Sequence, residues 1–516
     1  MFRNILSVGG LTLVSRLAGF IRDVVMAAVL GAGPVADAFL VAFRLPNHFR
    51  AIFAEGAFNA AFVPTYARLR EQDGAASARA FADEILTAMA LVHAVLLALA
   101  LGFTPQFVAL LAPGLADDPE RFGLAVTLTR ITFPYLALIS VATLVSGALN
   151  ASDRFAMAAA APILMNVCMV GTLLGAALFP TAGHAAAWGV LISGVAQLFA
   201  VGLDAERHGI GLRFGRPKLD PGTRQFLKAL GPAVIGSAGV QIALFADTII
   251  ATFLPAGALS ALYYADRINQ LPIGVVGIAV GTVLLPEMSR RLAAKDDRGA
   301  AYSQARAIEL AALLALPFVA AALLVPDLTM RALFARGAFT NADAAAAAAT
   351  LQAYGVGLLA FVVVRAFIAP FHARGDTRTP MIASLTAVAL NVALKFALMG
   401  SLAQVGLALA TAAGGWINVG LLVFFALRRG YPVGDAALGG HLLRLLGVGV
   451  LVGASLFGTQ LLAGAVLQAD LPARAEVMLL LVILAGALVY AGATIVLLGR
   501  GFIAGVTGRR APPLPQ

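Results

Sequence analysis

The chain has 516 residues, 60% of them hydrophobic and 12% charged, with a mean hydropathy of +0.91 and a formal net charge of +10. Soluble globular chains run closer to half apolar and a quarter charged, so this composition excludes an ordinary soluble domain. One cysteine, Cys168, excludes a disulfide framework or a thiolate metal site. No Cys/His metal spacing, Walker loop or Gly-x-Ser-x-Gly motif is present, so no metal, cofactor or enzymatic centre is expected. The positive balance reads as a membrane-topology signal, not as a nucleic-acid surface.

At roughly 20 apolar residues per crossing, the expected fold is an all-α polytopic membrane protein of about 14 helices. The first segment, 4–30, is interrupted by Arg16 and Arg22, and no small-residue cleavage site follows it. It therefore reads as a retained helix, not as a signal peptide. The second, 35–62, follows the turn Gly31-Ala32-Gly33-Pro34. Then come 80–104, 123–149, 156–179, 184–204 and 225–254, and, after the turn Pro255-Ala256-Gly257, 258–288. The remaining six are 304–325, 345–371, 380–399, 403–427, 440–467 and 475–499. Turns this short imply antiparallel neighbours.

Alternate loops differ sharply in charge. One set holds about 22 Lys and Arg, including Arg68, Arg70, Arg79, Arg290, Arg291, Arg374 and Arg429. The other holds 4: Arg121, Arg331, Arg336 and Arg474. The positive-inside rule places the basic set, and with it both termini, in the cytoplasm. No loop is long enough for a folded extramembrane domain.

A faint internal repeat is also visible. Val63-Pro64-x-x-x-Arg68 returns as Leu285-Pro286-x-x-x-Arg290, 222 residues later. Arg44 returns as Arg267 at offset 223, and Leu30-Gly31 as Leu254-Pro255 at offset 224. The shared offset predicts two six-helix lobes, 1–215 and 216–430, with 431–516 adding two helices and a cytoplasmic tail. Six being even, the lobes are parallel repeats around a central cavity.

The first two segments carry charges that lipid does not tolerate: Arg16, Arg22 and Asp23, then Asp37, Arg44, Arg50 and Glu55. Each costs at least about 2.5–3.5 kcal/mol at the bilayer centre unless it faces protein or water. Arg16 and Asp23 share a helical face, as do Asp37, Arg44 and Glu55 if Pro46 leaves their helix straight. Asp23, Asp37, Arg44, Glu55 and Asp266 read as ion-pair or gate residues. Arg16, Arg22, Arg50 and Arg267 leave a positive surplus suited to an anion, and arginine captures phosphate bidentately. Arg50 and Glu55 have an alternative place at the cytoplasmic mouth, as gate residues. Asp247, Arg365 and Lys395 are isolated charges in apolar sequence, each open to a structural pair or a functional role.

The stretch Ser15-Arg-Leu-Ala-Gly-Phe-Ile-Arg-Asp23 resembles the MurJ (MviN) family of lipid II flippases. The resemblance continues through Ala36-Asp-Ala-Phe39, Arg44-Leu-Pro-Asn47, Phe49 to Phe58, Thr132-Phe-Pro-Tyr135, Gly147-Ala-Leu-Asn150, Tyr263-Tyr-Ala-Asp-Arg267 and Leu284-Leu-Pro286. It implies a fold of the multidrug/oligosaccharidyl-lipid/polysaccharide exporter type, with two lobes around a V-shaped cavity and a last helix pair grooved for a polyprenyl tail. The substrate implied is lipid II, the undecaprenyl-pyrophosphate-linked peptidoglycan precursor, moved across the bacterial inner membrane, with cell-wall synthesis proteins as further partners. It further implies that residues matching Arg16, Arg22 and Arg267 contact the anionic headgroup. Those matching Asp37, Arg50 and Glu55 would act partly in gating. Some members bind sodium between the seventh and eleventh helices; here Asp247 and Asn391 match, and Lys395 one turn on is expected to pair with Asp247 in place of the ion. The alternative function is export of another polyprenyl-linked saccharide or a small molecule.

Overall fold

Seventeen α-helices and two short 3₁₀ turns, with no strand, make up the described residues of the computed structural model, which are 2–53, 57–215, 221–468 and 470–506. The helices are α1 (Phe2–Leu30), α2 (Pro34–Phe53), α3 (Ala57–Gln72), α4 (Gly74–Gly102), α5 (Thr104–Leu111), α6 (Pro119–Thr132), α7 (Tyr135–Asn150), α8 (Ala156–Leu174) and α9 (Ala182–Arg207). They continue with α10 (Pro221–Thr252), α11 (Ala258–Ala293), α12 (Asp297–Leu324), α13 (Pro326–Phe334), α14 (Asn341–His372), α15 (Arg378–Arg428), α16 (Leu438–Val466) and α17 (Arg474–Val506). Each expected apolar segment is largely helical among the described residues. Among the described residues, nine helices are both long and apolar enough to cross a membrane, and the protein is an all-α multi-pass membrane protein.

Three segments differ from the expectation. The second is described as α2 and α3 on either side of residues 54–56, and α3 runs on past Pro64 to end in Arg68, Arg70, Glu71 and Gln72. The fourth breaks between α6 and α7 at Phe133 and Pro134, where proline removes a backbone donor. The eleventh and twelfth are joined in the 51-residue α15, which bends at Ala403 (φ 45°, ψ −128°). A straight helix of that length would run about 75 Å, far more than a bilayer core. The arms instead fold back side by side: Gly406 lies against the Leu398 carbonyl, with no room for a Cβ, and Gly414 lies against the Asn391 side chain, where a Cβ would be tight.

The chain divides into two compact units. The first, Met1–Ser260 with Arg336–Thr340, contains α1–α10 and the start of α11. In it α1 packs on α8, α8 on α9, α9 on α7, α2 on α6, and α10 on α2 and α3. Its centre is aromatic. Phe62 stacks on Phe58 (5.4 Å) and Phe81 (5.5 Å), and Phe226 meets Phe58 edge-on at 5.6 Å, so α10 is fastened to α3 and α4. Such ring pairs add about 0.5–1.5 kcal/mol each beyond burial.

One joint within this unit is reciprocal. The Gly114 amide donates to Thr252 Oγ1 (3.2 Å), and the Ala338 amide donates to the Ala28 carbonyl (2.7 Å). At an offset of 222–224 residues, Gly114 corresponds to Gly337 and Ala28 to Thr252. Gly337 has φ +58° and sits directly on the Ala28 carbonyl, so both its conformation and its surroundings demand glycine. Helix boundaries recur with the same offset: α6 and α7 together span Pro119–Asn150, and α14 spans Asn341–His372, 32 residues in both cases.

The second unit, Ala261–Ala335 with Asn341–Gln516, contains the rest of α11 and α12–α17. There α12 packs on α14 and α16, α14 on α15, and α16 on α17. Tyr264, on α11, packs its ring against Phe334 of α13 at 5.1 Å. At the basic end of this unit, Glu309 is fully buried, accepting from His441 at 2.8 Å and pairing with Arg306 at 2.7 Å, while Arg306 also reaches Asp435. That cluster ties α12 to the start of α16.

Candidate functional site

α1 has two kinds of outward surface. Leu13, Val14, Leu17 and Ile21 are exposed on one side, as lipid contact requires. Arg16 is also exposed, with Thr12 one turn away. It makes no hydrogen bond or ion pair to any described residue, whereas a guanidinium carries five donors.

Arg22 and Asp23 are buried, at 7% and 3% exposure. The Arg22 Nη2 and Nε donate to Asp23 Oδ1 (2.7 and 3.2 Å), and Nη1 donates to Asn166 Oδ1 on α8 (3.1 Å). Asn166 Nδ2 donates in turn to the Ser15 carbonyl (3.2 Å), so α8 positions both Arg22 and the α1 backbone next to Arg16. By helical periodicity Asp23 shares a face with Arg16. The structure brings it to Arg22, because adjacent side chains on a helix still converge when both are turned toward a neighbouring helix.

Asp37, near the start of α2, is 1% exposed and accepts four bonds. Arg121 Nη2 (3.2 Å) and the Gly257 amide (2.7 Å) donate to Oδ2; the Ser260 amide (3.0 Å) and hydroxyl (2.7 Å) donate to Oδ1. One carboxylate thus joins α2, α6, the turn before α11 and the first turn of α11, all within the first unit. Arg121, expected in a loop, is in the first turn of α6 and buried. Arg44 is half-buried and makes no hydrogen bond or ion pair to a described residue. Arg50 Nε donates to Asn47 Oδ1 at 2.9 Å, one turn back on α2. Glu55 lies outside the described residues.

In the second unit Arg267 is on α11, its Nη2 donating to the Tyr263 hydroxyl (3.0 Å) and its guanidinium 4.7 Å above the same ring. This cation–π contact orients the charge without neutralising it. Asp266, beside it, accepts from Gln270. On α15, Lys395 is buried, and Asn391 lines a cavity of about 180 Å³ with Ser384, Thr411 and Asn418. Asp247 is half-buried on α10, in the first unit.

Three residues that hold this arrangement were not picked out from sequence. Asn166 is a single amide in an otherwise apolar segment, and that isolation was the available signal. Arg121 was masked by its place beside a turn. Ser260 stands 223 residues after Asp37, its own repeat position. Chemically the first unit offers one unsatisfied guanidinium, Arg16, about 9 Å along the helix from a second, Arg22, held rigid by a carboxylate and an amide.

The family model described as Lipid II flippase MurJ matches residues 26–470. A probable lipid II flippase MurJ of Rhizobium meliloti (strain 1021) is 43% identical over 463 residues, covering 89% of this chain and 86% of the relative. The lipid II flippase MurJ of Burkholderia cenocepacia is 34% identical over 435 residues, covering 83% and 84%. Among solved structures, a lipid II flippase MurJ in an inward closed conformation superposes with a TM-score of 0.79 at 23% identity, over 96% of this chain and 99% of that one. An inward-facing multidrug transporter of the MATE family has a TM-score of 0.66 at 14% identity, covering 82% and 97%, and shares the fold. With a family model spanning most of its length and a 43% identical relative, the chain belongs to the MurJ family of lipid II flippases.

Proposed function

We propose that this chain moves lipid II from the cytoplasmic to the periplasmic leaflet of the bacterial inner membrane by alternating access. Family membership supports the substrate. The observation that carries the reading at residue level is Arg16, an exposed cation in a largely apolar helix that makes no hydrogen bond or ion pair to a described residue. Arg16, Arg22, Arg50 and Arg267 take the pyrophosphate, each able to give paired donors to phosphate oxygens. Asp23 positions Arg22. Asp37, Arg44, Glu55 and Asp266 serve gating or internal pairing, with Asp37 the outer latch.

The excess of Lys and Arg on alternate loops supports cytoplasmic termini. The recurring helix boundaries support lobes at 1–215 and 216–430, with 431–516 carrying the lipid tail. Asp247, Asn391 and Lys395 form the coupling set, tested by whether flipping depends on sodium. Cell-wall synthesis proteins are the expected partners beyond the bilayer.

The test is complementation of a flippase-depleted strain combined with a leaflet-specific assay of lipid II. Rescue with movement of lipid II supports the reading. Absence of lipid II movement by a correctly inserted wild-type chain overturns it, and movement of another polyprenyl-linked saccharide instead would place the chain with the related exporters.

A further inference from the structure

Arg306 and Glu309 lie one turn apart on α12, inside a helix apolar enough to cross a membrane. Ionisable groups in such a place are costly and by default mark a function. The Glu309 side chain is wholly buried, and neither residue serves the transport site.

Their partners come from the loop before α16 and from its first turn, all within the second unit. The Gly434 amide donates to Gln304 Oε1 of α12 (3.2 Å). Arg306 pairs through Nη1 with Glu309 Oε2 (2.7 Å) and donates from Nη2 to Asp435 Oδ1 and Oδ2 (3.3 and 3.1 Å). His441 Nδ1 lies 2.8 Å from Glu309 Oε1 and 3.3 Å from Arg306 Nη1. The shorter contact, to a carboxylate oxygen, takes the ring nitrogen as donor. The same ring meets Phe502 of α17 edge-on at 5.0 Å. His441 is therefore the residue on which α12, α16 and the end of α17 converge.

Charge does not balance in this cluster. One guanidinium stands against two carboxylates, Glu309 and Asp435. The other described titratable groups beside it are Tyr302, whose ring lies 5.1 Å from the Arg306 guanidinium, and Arg444, exposed one turn beyond His441. α14 contributes only the Ala366 carbonyl, which accepts from Gln304, and α17 the Phe502 ring. A fully buried carboxylate that shares its one fixed counter-charge is costly. His441 can supply the missing charge. Its Nδ1 is committed to Glu309 while its side chain is 21% exposed, which leaves Nε2 to take a proton from water.

We propose that Arg306, Glu309, Asp435 and His441 form a one-proton site that clamps the α16–α17 pair onto α12. The imidazolium closes the joint; loss of its proton to water strands the Glu309 charge and opens it. The closed joint holds one proton more than the open one. Its opening constant therefore rises with pH, by up to tenfold per pH unit, above the ordinary imidazole pKa of about 6.5. The site uses none of the arginines assigned to lipid II, and it stands whether or not the last two helices carry a lipid tail.

The test is hydrogen–deuterium exchange on the purified full chain in lipid nanodiscs, between about pH 6 and 8. Protection is followed over residues 434–445. α7, which has no Asp, Glu, Lys, Arg or His, corrects for the intrinsic pH dependence of exchange. The wild type is expected to lose protection as pH rises, approaching tenfold per unit. His441→Gln has no ring to protonate and exchanges fast at every pH. Asp435→Asn and Glu309→Gln each leave one guanidinium against one carboxylate, so the joint stays closed and the slope vanishes. A purely structural contact predicts the opposite for Asp435→Asn, weaker protection with no change of slope. A flat wild-type profile, or the wild-type slope retained in His441→Gln or Asp435→Asn, overturns the proposal. Asp435→Asn alone decides if His441→Gln does not fold. The profiles are repeated with sodium replaced by choline; protection that follows sodium and ignores pH means a metal ion balances the cluster, and overturns the proposal too. Lipid II movement plays no part in the readout, so a wild type that fails to flip counts against the flippase reading alone.

Discussion

Asp37 offers the sharpest energetic test, because a single carboxylate collects four donors from three elements. Ser260→Ala deletes one hydroxyl bond of 2.7 Å to a charged acceptor and leaves the backbone in place. A hydrogen bond to a charged group is worth about 1.5–3 kcal/mol, so the latched state should lose about 10- to 150-fold in relative population. Asp37→Asn goes further. One oxygen becomes an NH₂ facing Ser260, or facing Gly257 and Arg121, and donor then meets donor. Arg121, buried, keeps only a longer contact to the half-exposed Asp118 (3.9 Å), so the loss approaches the about 3–5 kcal/mol of removing one partner of a buried pair. The assay is electron–electron spin resonance between labels at Ala32→Cys and Ala256→Cys in a Cys168→Ser background, since Gly257 lies against the Ala32 carbonyl. Wild type should give one short distance, Ser260→Ala a mixture, and Asp37→Asn mostly the long one. If both variants keep the wild-type distance and flip lipid II at the wild-type rate, Asp37 is a structural anchor and the latch assignment fails.

Arg16→Ala, Arg22→Ala and Arg267→Ala should each abolish flipping while the protein still accumulates in the membrane; wild-type rates for all three would refute the anion site. Asp23→Ala should lower stability by about 3–5 kcal/mol, because it removes the carboxylate of a buried ion pair, and thermal unfolding in detergent measures this. Asn166→Ala, which keeps the ion pair, should cost much less yet still slow flipping, separating orientation of Arg22 from its survival in the fold. Acid should weaken the loop before α15. Burial pushes the Asp376 carboxyl upward, but hydrogen bonds from Thr379 and the charge of Arg429 outweigh it and hold the group below its ordinary range. The folded value being lowered, this contribution is complete above the ordinary carboxylate pKa of about 4 and disappears as pH falls through the lowered value. Melting temperature should therefore fall less steeply on acidification in Asp376→Asn than in wild type.

Much of the architecture could be read from the chain because membrane helices are specified by composition alone: without water, backbone groups must pair within each segment. The charges were legible for the same reason, since each is costly enough in lipid to demand an explanation. Partners were not. Asp23 sits on the face of Arg16 by helical periodicity, but which neighbour it meets depends on how α8 brings Asn166 against α1. Arg121 looked like a loop residue because Pro119 and Asp118 precede it, and those same residues start the helix that buries it. The bend at Ala403 was anticipated only as a gap between two apolar runs; no glycine or proline marks the left-handed residue itself.

On the two-lobe repeat proposed above, the joint around Asp37 shows what fusing two copies into one polypeptide makes possible. Asp37 binds Ser260, the residue 223 positions later, at the same place in the second repeat. Two separate identical chains meeting there would have to present the same side chain from both sides. Aspartate against aspartate would repel, and serine against serine would form a weak neutral bond. In a single chain the two positions are free to differ, and here one supplies the charge and the other the proton donors. Strength at this joint thus comes from broken symmetry, and the residues to examine in other duplicated transporters are those that touch their own counterparts and no longer match them.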